Sequence, residues 1–374
     1  MARWLANVFR LGVKELSSLA ADRVLLALIV YCFTFSVYQV ATGVKTGVDN
    51  ATVAVVDGDR SVLSARIADG MLPPEFRPAR QMDRAGVDGA MDRGEVTFVL
   101  DLPPGLEADL LRGERPPVQL GIDATAMTQA GIGAGYVEAI VARETAALLA
   151  PGADGAAPVS LVSRVQFNPN LESGWFQAVM AVIQYVTILS ILLVGAAVIR
   201  EREHGTIEHL LVMPLTAGEI AAAKIWANGL VILVATGLSL LLVVQALLGV
   251  PVRGSIALFL AGAGVYLFAT TSLGVLLATV TRSMPQFALL GIPVFLVLNM
   301  LSGATSPLEG MPAALRVVMQ ASPTVHFTSM AQAILYRGAG LDTVWPELLV
   351  LAGLGSAFLA VALSQFRAML ARSQ

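Results

Sequence analysis

The chain has 374 residues, of which 56% are hydrophobic and only 14% are charged. With a mean hydropathy of +0.73, it is too apolar to cover the surface of a soluble protein, so we classify it as an integral membrane protein. Its net charge of −3 argues against a nucleic-acid partner. None of the lysines lies in a G-x-x-x-x-G-K-[ST] loop, so the chain does not hydrolyse a nucleotide by that route.

The N-terminal part predicts two helices. Residues 1–23 carry apolar residues at helical spacing among basic ones, which predicts a helix in the membrane interface with Trp4 at headgroup depth. A frayed basic terminus is the alternative. Residues 24–42 carry no charge, and 19 residues at 1.5 Å each cross a hydrocarbon core of ~30 Å. We predict a first transmembrane helix there, with its basic flank in the cytoplasm.

Residues 43–173 have a different composition, with 18 of the 27 acidic residues and no run long enough to cross a membrane. Strand-like runs alternate with helical patterns, which predicts a small α/β domain. The predicted strands lie in 52–58, 94–105 and 116–125, and the predicted helices in 61–70, 107–113 and 125–150. Because the domain follows the first span, we predict that it lies on the extracytoplasmic side.

Residues 174–374 predict five further spans, which makes an α-helical membrane protein with six transmembrane helices and an α/β domain inserted between the first two. The five spans are 174–199, 216–249, 255–280, 287–305 and 345–366. Thr216 and Glu219 form a capping box, so the third span begins at Thr216 and its first two turns, including Lys224, stand outside the bilayer. Prolines break residues 306–344 into two predicted short outer helices.

The distribution of basic residues predicts the orientation, because short cytoplasmic segments carry the excess of Lys and Arg. With six spans both termini lie on one side. The segments on that side contain ten basic residues: Arg3, Arg10, Lys14, Arg23, Arg200, Arg202, Lys224, Arg282, Arg367 and Arg372. The short loops opposite contain three: Arg253, Arg316 and Arg337. We therefore predict that both termini are cytoplasmic.

The centres of the six spans contain no ionisable residue. Ion-coupled carriers and intramembrane proteases need such groups, so both classes are disfavoured. Buried amides such as Gln184 and Asn228 are predicted to form hydrogen bonds between helices. We expect no catalytic group, cofactor or metal in this chain, and an energy source on another chain.

The loop between the second and third spans, residues 200–216, reads REREHGTIEHLLVMPLT. Its charges are of mixed sign, and residues 207–213 predict a short helix that ends at Pro214. We interpret this cytoplasmic loop as a contact for another protein. The alternative is that its charges only solvate a loop and stop translocation.

The same segment closely resembles the E-R-E-x-G-T-x-E-x-L-x-x-x-P segment of type-2 ABC transporter permeases. Residues 167–173 (FNPNLES) and the stretch 306–340 resemble further parts of that family. The resemblance implies that the loop contains a coupling helix that docks on a cytosolic ABC ATPase, which binds ATP and Mg. It also implies a second permease subunit, identical or not, and the drug-efflux-like subgroup with a large outer domain.

The function expected from this resemblance is that of the permease subunit of an ATP-driven exporter in a bacterial inner membrane. Its substrate would be a drug or another amphipathic molecule, taken from the cytoplasm or the inner leaflet. The candidate ATPase-coupling residues are Glu201, Arg202, Glu203, Gly205, Thr206, Ile207, Glu208, Leu210, Leu211 and Pro214. The candidate outer-gate residues are Pro307, Glu309, Pro312 and Pro323.

Two points stay open from the sequence. The outer domain either seals the exit or hands substrate to a periplasmic adaptor protein. An alternative function is that of a membrane-anchored receptor or scaffold whose outer domain binds a ligand without transport.

Overall fold

The fold is described from a computed structural model that covers residues 2–43, 48, 50–123, 127–149, 173–203, 215–303 and 311–372. The chain divides into two compact units. Met1–Gly43 and Gly174–Gln374 form the helical unit, and Val44–Ser173 form the sheet unit.

Helices and strands are numbered here in chain order over both units. The helices of the helical unit are α1 (Ala2–Ala21), α2 (Arg23–Gly43), α7 (Ser173–Glu203), α8 (Ala217–Leu247), α9 (Ile256–Val280), α10 (Met284–Met300), α11 (Ala313–Met319), α12 (Pro323–Leu335) and α13 (Leu341–Arg372). The sheet unit contains β1 (Val53–Asp57), α3 (Val62–Asp69), β2 (Arg80–Gln81), α4 (Arg84–Asp92), β3 (Phe98–Leu102), α5 (Leu106–Leu111), β4 (Gln119–Ile122) and α6 (Met127–Leu149).

The described residues form five helices that are long and apolar enough to cross a membrane: α2, α7, α8, α9 and the part of α13 from Leu341 to Gln365. This mostly helical architecture confirms the prediction of an α-helical membrane protein. Helix α10 is also apolar but has 17 residues, or ~25 Å at 1.5 Å per residue. The prediction of six spans therefore requires that α10 also crosses the membrane.

The core of the helical unit is centred on α9, which packs against α8, α12 and α13. The ring of Tyr266 on α9 stacks on Phe327 of α12, with 3.9 Å between ring centroids, and both side chains are fully buried. The backbones of α7 and α9 also approach each other closely. A Cβ at Gly274 of α9 would lie 2.7 Å from the Ile191 carbonyl oxygen of α7. Small residues allow such contacts between membrane helices, where van der Waals packing replaces the hydrophobic effect.

The sheet unit is a four-stranded sheet with the order β2-β1-β3-β4, in which β1 pairs parallel with β2 and β3, and β3 pairs antiparallel with β4. Alternate residues of β1 face opposite sides: Val53 and Val55 join a core with α3 and α6, whereas Ala54 packs with residues of α4. Helices therefore cover both faces of the sheet. Strand β2 and helix α4 were not among the predicted elements, and the extracytoplasmic placement of this unit remains a prediction.

Candidate functional site

Only part of the predicted coupling segment falls within the described residues. Glu201, Arg202 and Glu203 form the last turn of α7. The remaining coupling candidates lie outside the described residues: Gly205, Thr206, Ile207, Glu208, Leu210, Leu211 and Pro214. The structure thus describes how the segment is anchored at its start. The chain is described again from Leu215 onward.

The end of α7 is fixed to four other parts of the helical unit by four consecutive side chains, residues 200–203, which we call the α7 hub. Arg200 lies 3.4 Å from Asp22, between α1 and α2. Arg202 donates to the carbonyl oxygen of Thr281, directly after α9. Glu203 accepts a 2.8 Å hydrogen bond from the backbone N–H of Met284, the first residue of α10.

The fourth contact of the hub is a buried cluster of three charges, the Glu15–Lys224–Glu201 cluster. The Lys224 ammonium on α8 lies 2.9 Å from the Glu15 carboxylate on α1 and 3.0 Å from the Glu201 carboxylate on α7. The Lys224 side chain is 2% exposed, whereas the two carboxylates are 14% and 18% exposed. A charge at this depth requires partners, so the cluster ties three helices together.

Helix α1 lies along the first turns of α8. The Asn7 amide donates to Glu219 at 2.9 Å, and the Trp226 indole N–H donates to the Val8 carbonyl oxygen at 3.1 Å. The rings of Phe9 and Trp226 are parallel, with centroids 6.0 Å apart. The predicted N-terminal helix is present, while its location in the membrane interface stays a prediction. Its packing on α8 was not foreseen.

The start of α8 has the predicted capping box. Thr216 accepts from the Glu219 backbone N–H at 3.3 Å, and the Glu219 carboxylate accepts from the Thr216 backbone N–H at 2.6 Å. The other oxygen of the Glu219 carboxylate accepts from Asn7. One side chain therefore both caps α8 and holds α1.

At the predicted outer gate, Pro307 and Glu309 lie outside the described residues. Pro312 is the N-cap of α11, and Pro323 is the first residue of α12, where a missing N–H costs nothing. Directly after α12, the Tyr336 hydroxyl donates to the carbonyl oxygens of Trp175 and Phe176 at 3.3 and 3.2 Å. Burial raises the pKa of this phenol still further above neutral pH, and its single proton is shared between the two carbonyl oxygens.

Comparisons with known proteins identify the chain's family. A family profile described as "ABC-2 family transporter protein" matches residues 24–364. The chain belongs to the ABC-2 transporter family. It is 49% identical to the inner membrane transport permease YhhJ of Escherichia coli K12 over 98% of both chains. It is 30% identical to the probable multidrug ABC transporter permease YbhR of the same strain, over 93% of this chain and 96% of that one.

Membership confirms the resemblance drawn from the motif of residues 201–214. An ABC-2 permease is the non-catalytic membrane subunit of an ABC transporter, so the chain is not itself an enzyme and has an ATPase partner. The apolar helices and the similarity to an inner membrane permease make it a multi-pass inner membrane protein.

Several residues of this ABC-2 permease site were not identified from the sequence. Glu15 gave no local signal, because a single acid on a basic amphipathic helix is usually solvated. Asp22 does have a local signal, because aspartate before an apolar run is a common helix N-cap. It is the N-cap of α2 and accepts from the backbone N–H groups of Val24 and Leu25. Lys224 was expected outside the bilayer, but its burial within the protein was not expected.

Replacing Thr216 with alanine is expected to lower the stability of the permease by ~1 kcal/mol, the usual cost of losing an N-cap side chain. The loss also frees Glu219, which then holds Asn7 less firmly. Thermal unfolding of the purified chain in detergent measures the change. Ser17→Ala is the matched control, because the exposed Ser17 hydroxyl bonds only to the Val13 carbonyl of its own helix among the described contacts. Equal melting temperatures for both variants would contradict a role for the cap.

Proposed function

We propose that this chain is the membrane-spanning subunit of an ATP-driven exporter, which moves an amphipathic molecule out of the cytoplasm or the inner leaflet. A separate ATPase subunit binds ATP and Mg, and a second permease subunit completes the complex. The observation that carries the proposal is the α7 hub. Four consecutive residues, which include the start of the family's coupling segment, are fixed to the α1–α2 junction, α8, α9 and α10. A push on that segment would therefore move several helices together.

In the proposed topology the chain crosses the membrane six times, with α10 as the fifth span and both termini in the cytoplasm. Seventeen residues lie at the lower end of the ~17–25 that a spanning helix needs. Ten basic residues on the proposed inner segments against three on the short outer loops support this orientation. The sheet unit is then outside the cytoplasm, where it seals the exit or hands substrate to a periplasmic adaptor.

We divide the predicted coupling residues into two groups, and the contacts of the hub support this division. Glu201 and Glu203 are bound to Lys224 and to the N-terminus of α10, so we assign them to bracing the segment rather than to the ATPase. The ATPase contact is then made by Glu208 with Ile207, Leu210 and Leu211, between Gly205–Thr206 and Pro214. The apolar side chains would fill a cleft of the ATPase, and Glu208 would pair with a basic residue.

Buried hydroxyl groups link α7 to the proposed outer gate. The Thr187 hydroxyl of α7 lies 2.6 Å from the Tyr266 hydroxyl of α9, which donates to Thr324 of α12 at 3.4 Å. Thr324 follows Pro323, one of the gate candidates. We propose that movement of α7 reaches the gate through these hydrogen-bonded hydroxyl groups and through the stacked rings of Tyr266 and Phe327.

Reversal of one charge tests the proposal. Glu208→Lys is expected to abolish co-purification of the ATPase subunit and efflux of the amphipathic dye ethidium from cells, because a basic side chain would face the basic residue of the partner. The protein should still fold and reach the membrane. Co-purified ATPase is quantified by mass spectrometry after mild detergent extraction.

Glu95→Lys is the control for this reversal. Glu95 lies in the sheet unit and forms an exposed pair with Arg93, and such solvent-exposed pairs contribute little to stability. This variant should retain the ATPase and the efflux. Unchanged co-purification and efflux in Glu208→Lys would refute the proposed contact. A wild-type chain that retains no ATPase would favour the receptor or scaffold alternative.

A further inference from the structure

A cavity of about 280 Å³ lies between α1, α2, α7 and α8, and neither the family nor the coupling proposal gives it a role. Its walls combine charged, polar and apolar side chains. They are Lys14, Glu15, Ser18, Leu19, Leu25, Leu193, Ala197, Arg200, Glu201, Lys224 and Asn228. The cavity lies beside the last turn of α7 and the first turns of α8, which in the proposed topology lie at the cytoplasmic boundary of the membrane.

The buried end of the cavity is rich in hydrogen-bond acceptors. There the Glu15–Lys224–Glu201 cluster places two carboxylates around one ammonium. Asn228 is 1% exposed and its amide N–H donates to the Lys224 carbonyl oxygen at 2.8 Å. Its side-chain oxygen is buried and has no hydrogen-bond partner among the described residues. Such an acceptor is costly to leave unsatisfied, so this end suits a ligand with N–H donors and a positive charge.

The open end of the cavity has the opposite character. Lys14 and Arg200 are exposed and bring two cations to the rim, where Arg200 also contacts Asp22. Ser18 adds an exposed hydroxyl. Cations and a hydroxyl suit a phosphate group. We call the apolar side chains of the lining its apolar wall: Leu19, Leu25, Leu193 and Ala197.

We propose that this cavity binds the headgroup of a phospholipid that carries a primary ammonium, such as phosphatidylethanolamine. The ammonium of the lipid has three N–H donors, for Glu15, Glu201 and Asn228. The phosphodiester lies at Lys14 and Arg200. The first methylene groups of the acyl chains contact the apolar wall. At about 280 Å³ the cavity lies at the lower end of the ~300–1,000 Å³ of drug-sized sites, a volume that a lipid headgroup can fill. The proposal is independent of the transported substrate.

Native mass spectrometry of the full-length chain in detergent tests the assignment with three added lipids: dioleoyl-phosphatidylethanolamine, dioleoyl-phosphatidylcholine and dioleoyl-phosphatidylglycerol. The phosphatidylethanolamine is expected to bind about tenfold more tightly than either other lipid, the scale of one hydrogen bond to a charged group. Phosphatidylcholine has a quaternary ammonium without N–H, and phosphatidylglycerol has no positive charge. Equal affinity for all three lipids would overturn the proposal.

Two variants separate the two ends of the site. Asn228→Ala is expected to remove most of the preference for phosphatidylethanolamine over phosphatidylcholine, while affinity for phosphatidylcholine stays the same. Lys14→Gln is expected to weaken both lipids to a similar degree, because both carry the phosphodiester. Arg10→Gln, which removes a charge from the same helix outside the cavity, should change neither. If Asn228→Ala weakens both lipids equally, the residue supports packing only and the proposal fails.

Soluble glycerophosphoethanolamine distinguishes a lipid from a free phosphodiester. It has the same headgroup without acyl chains. We expect no displacement of the lipid by millimolar concentrations of this compound, since the apolar wall would contribute nothing to its binding. Displacement at the concentration of the lipid itself would overturn the assignment to a membrane lipid.

Discussion

Replacing Lys224 with methionine is expected to destabilise the permease by ~3–5 kcal/mol, the usual cost of removing one partner of a buried ion pair. Without the ammonium, the Glu15 and Glu201 carboxylates would lie side by side, only 14% and 18% exposed. Repulsion between them would separate α1 from the end of α7. The melting temperature of the purified chain should fall, and less ATPase should co-purify, because the α7 hub loses its contact with α8.

Neutralising the whole cluster distinguishes charge from shape. The triple variant Glu15→Gln, Lys224→Met, Glu201→Gln removes both unpaired carboxylates, so it should melt well above the single variant. Arg10→Met, which also replaces a basic residue by methionine but at an exposed position on α1, should melt like the wild type. A triple variant that is no more stable than Lys224→Met would contradict the electrostatic explanation.

The features that were predictable from the sequence depend on residues close together in the chain. The capping box of Thr216 and Glu219 spans four residues, so its hydrogen bonds are encoded locally. Ser61 likewise caps the helix that the pattern of 61–70 predicted. Uninterrupted apolar runs mark the long helices, since the backbone of a membrane span must satisfy its own hydrogen bonds.

The features that escaped prediction depend on residues far apart in the chain. Lys224 and Glu15 are separated by 209 positions, and Glu203 and Met284 by 81. A charge at the end of a span has the same local sequence whether it is solvated or paired, so the contact of Glu201 with Lys224 could not be predicted. In the sheet unit, β2 has only Arg80 and Gln81, too short and polar to show alternation.

Replacing Gly12 with alanine is expected to cost ~1–3 kcal/mol, the usual effect of overpacking a tight contact. A Cβ at this position would lie 2.1 Å from two ring carbons of Trp226. The indole cannot easily move aside, because its N–H is bonded to Val8 and its ring lies against Phe9. Helix α1 would have to withdraw from α8, which also weakens the contact of Glu15 with Lys224.

Two measurements detect this withdrawal: the melting temperature, and the rate of tryptic cleavage after Arg10 and Lys14, which should rise. Gly135→Ala is the matched control, because nothing lies within 4 Å of a Cβ there and α6 should gain up to ~1 kcal/mol from alanine. Trp226→Ala makes room for the new methyl group of Gly12→Ala. The loss of stability caused by Trp226→Ala should therefore be smaller in the Gly12→Ala variant than in the wild type. If Gly12→Ala keeps both the wild-type melting temperature and the protection from trypsin, α1 does not depend on this contact. The proposed coupling role of the Glu15–Lys224–Glu201 cluster would then lose its mechanical basis.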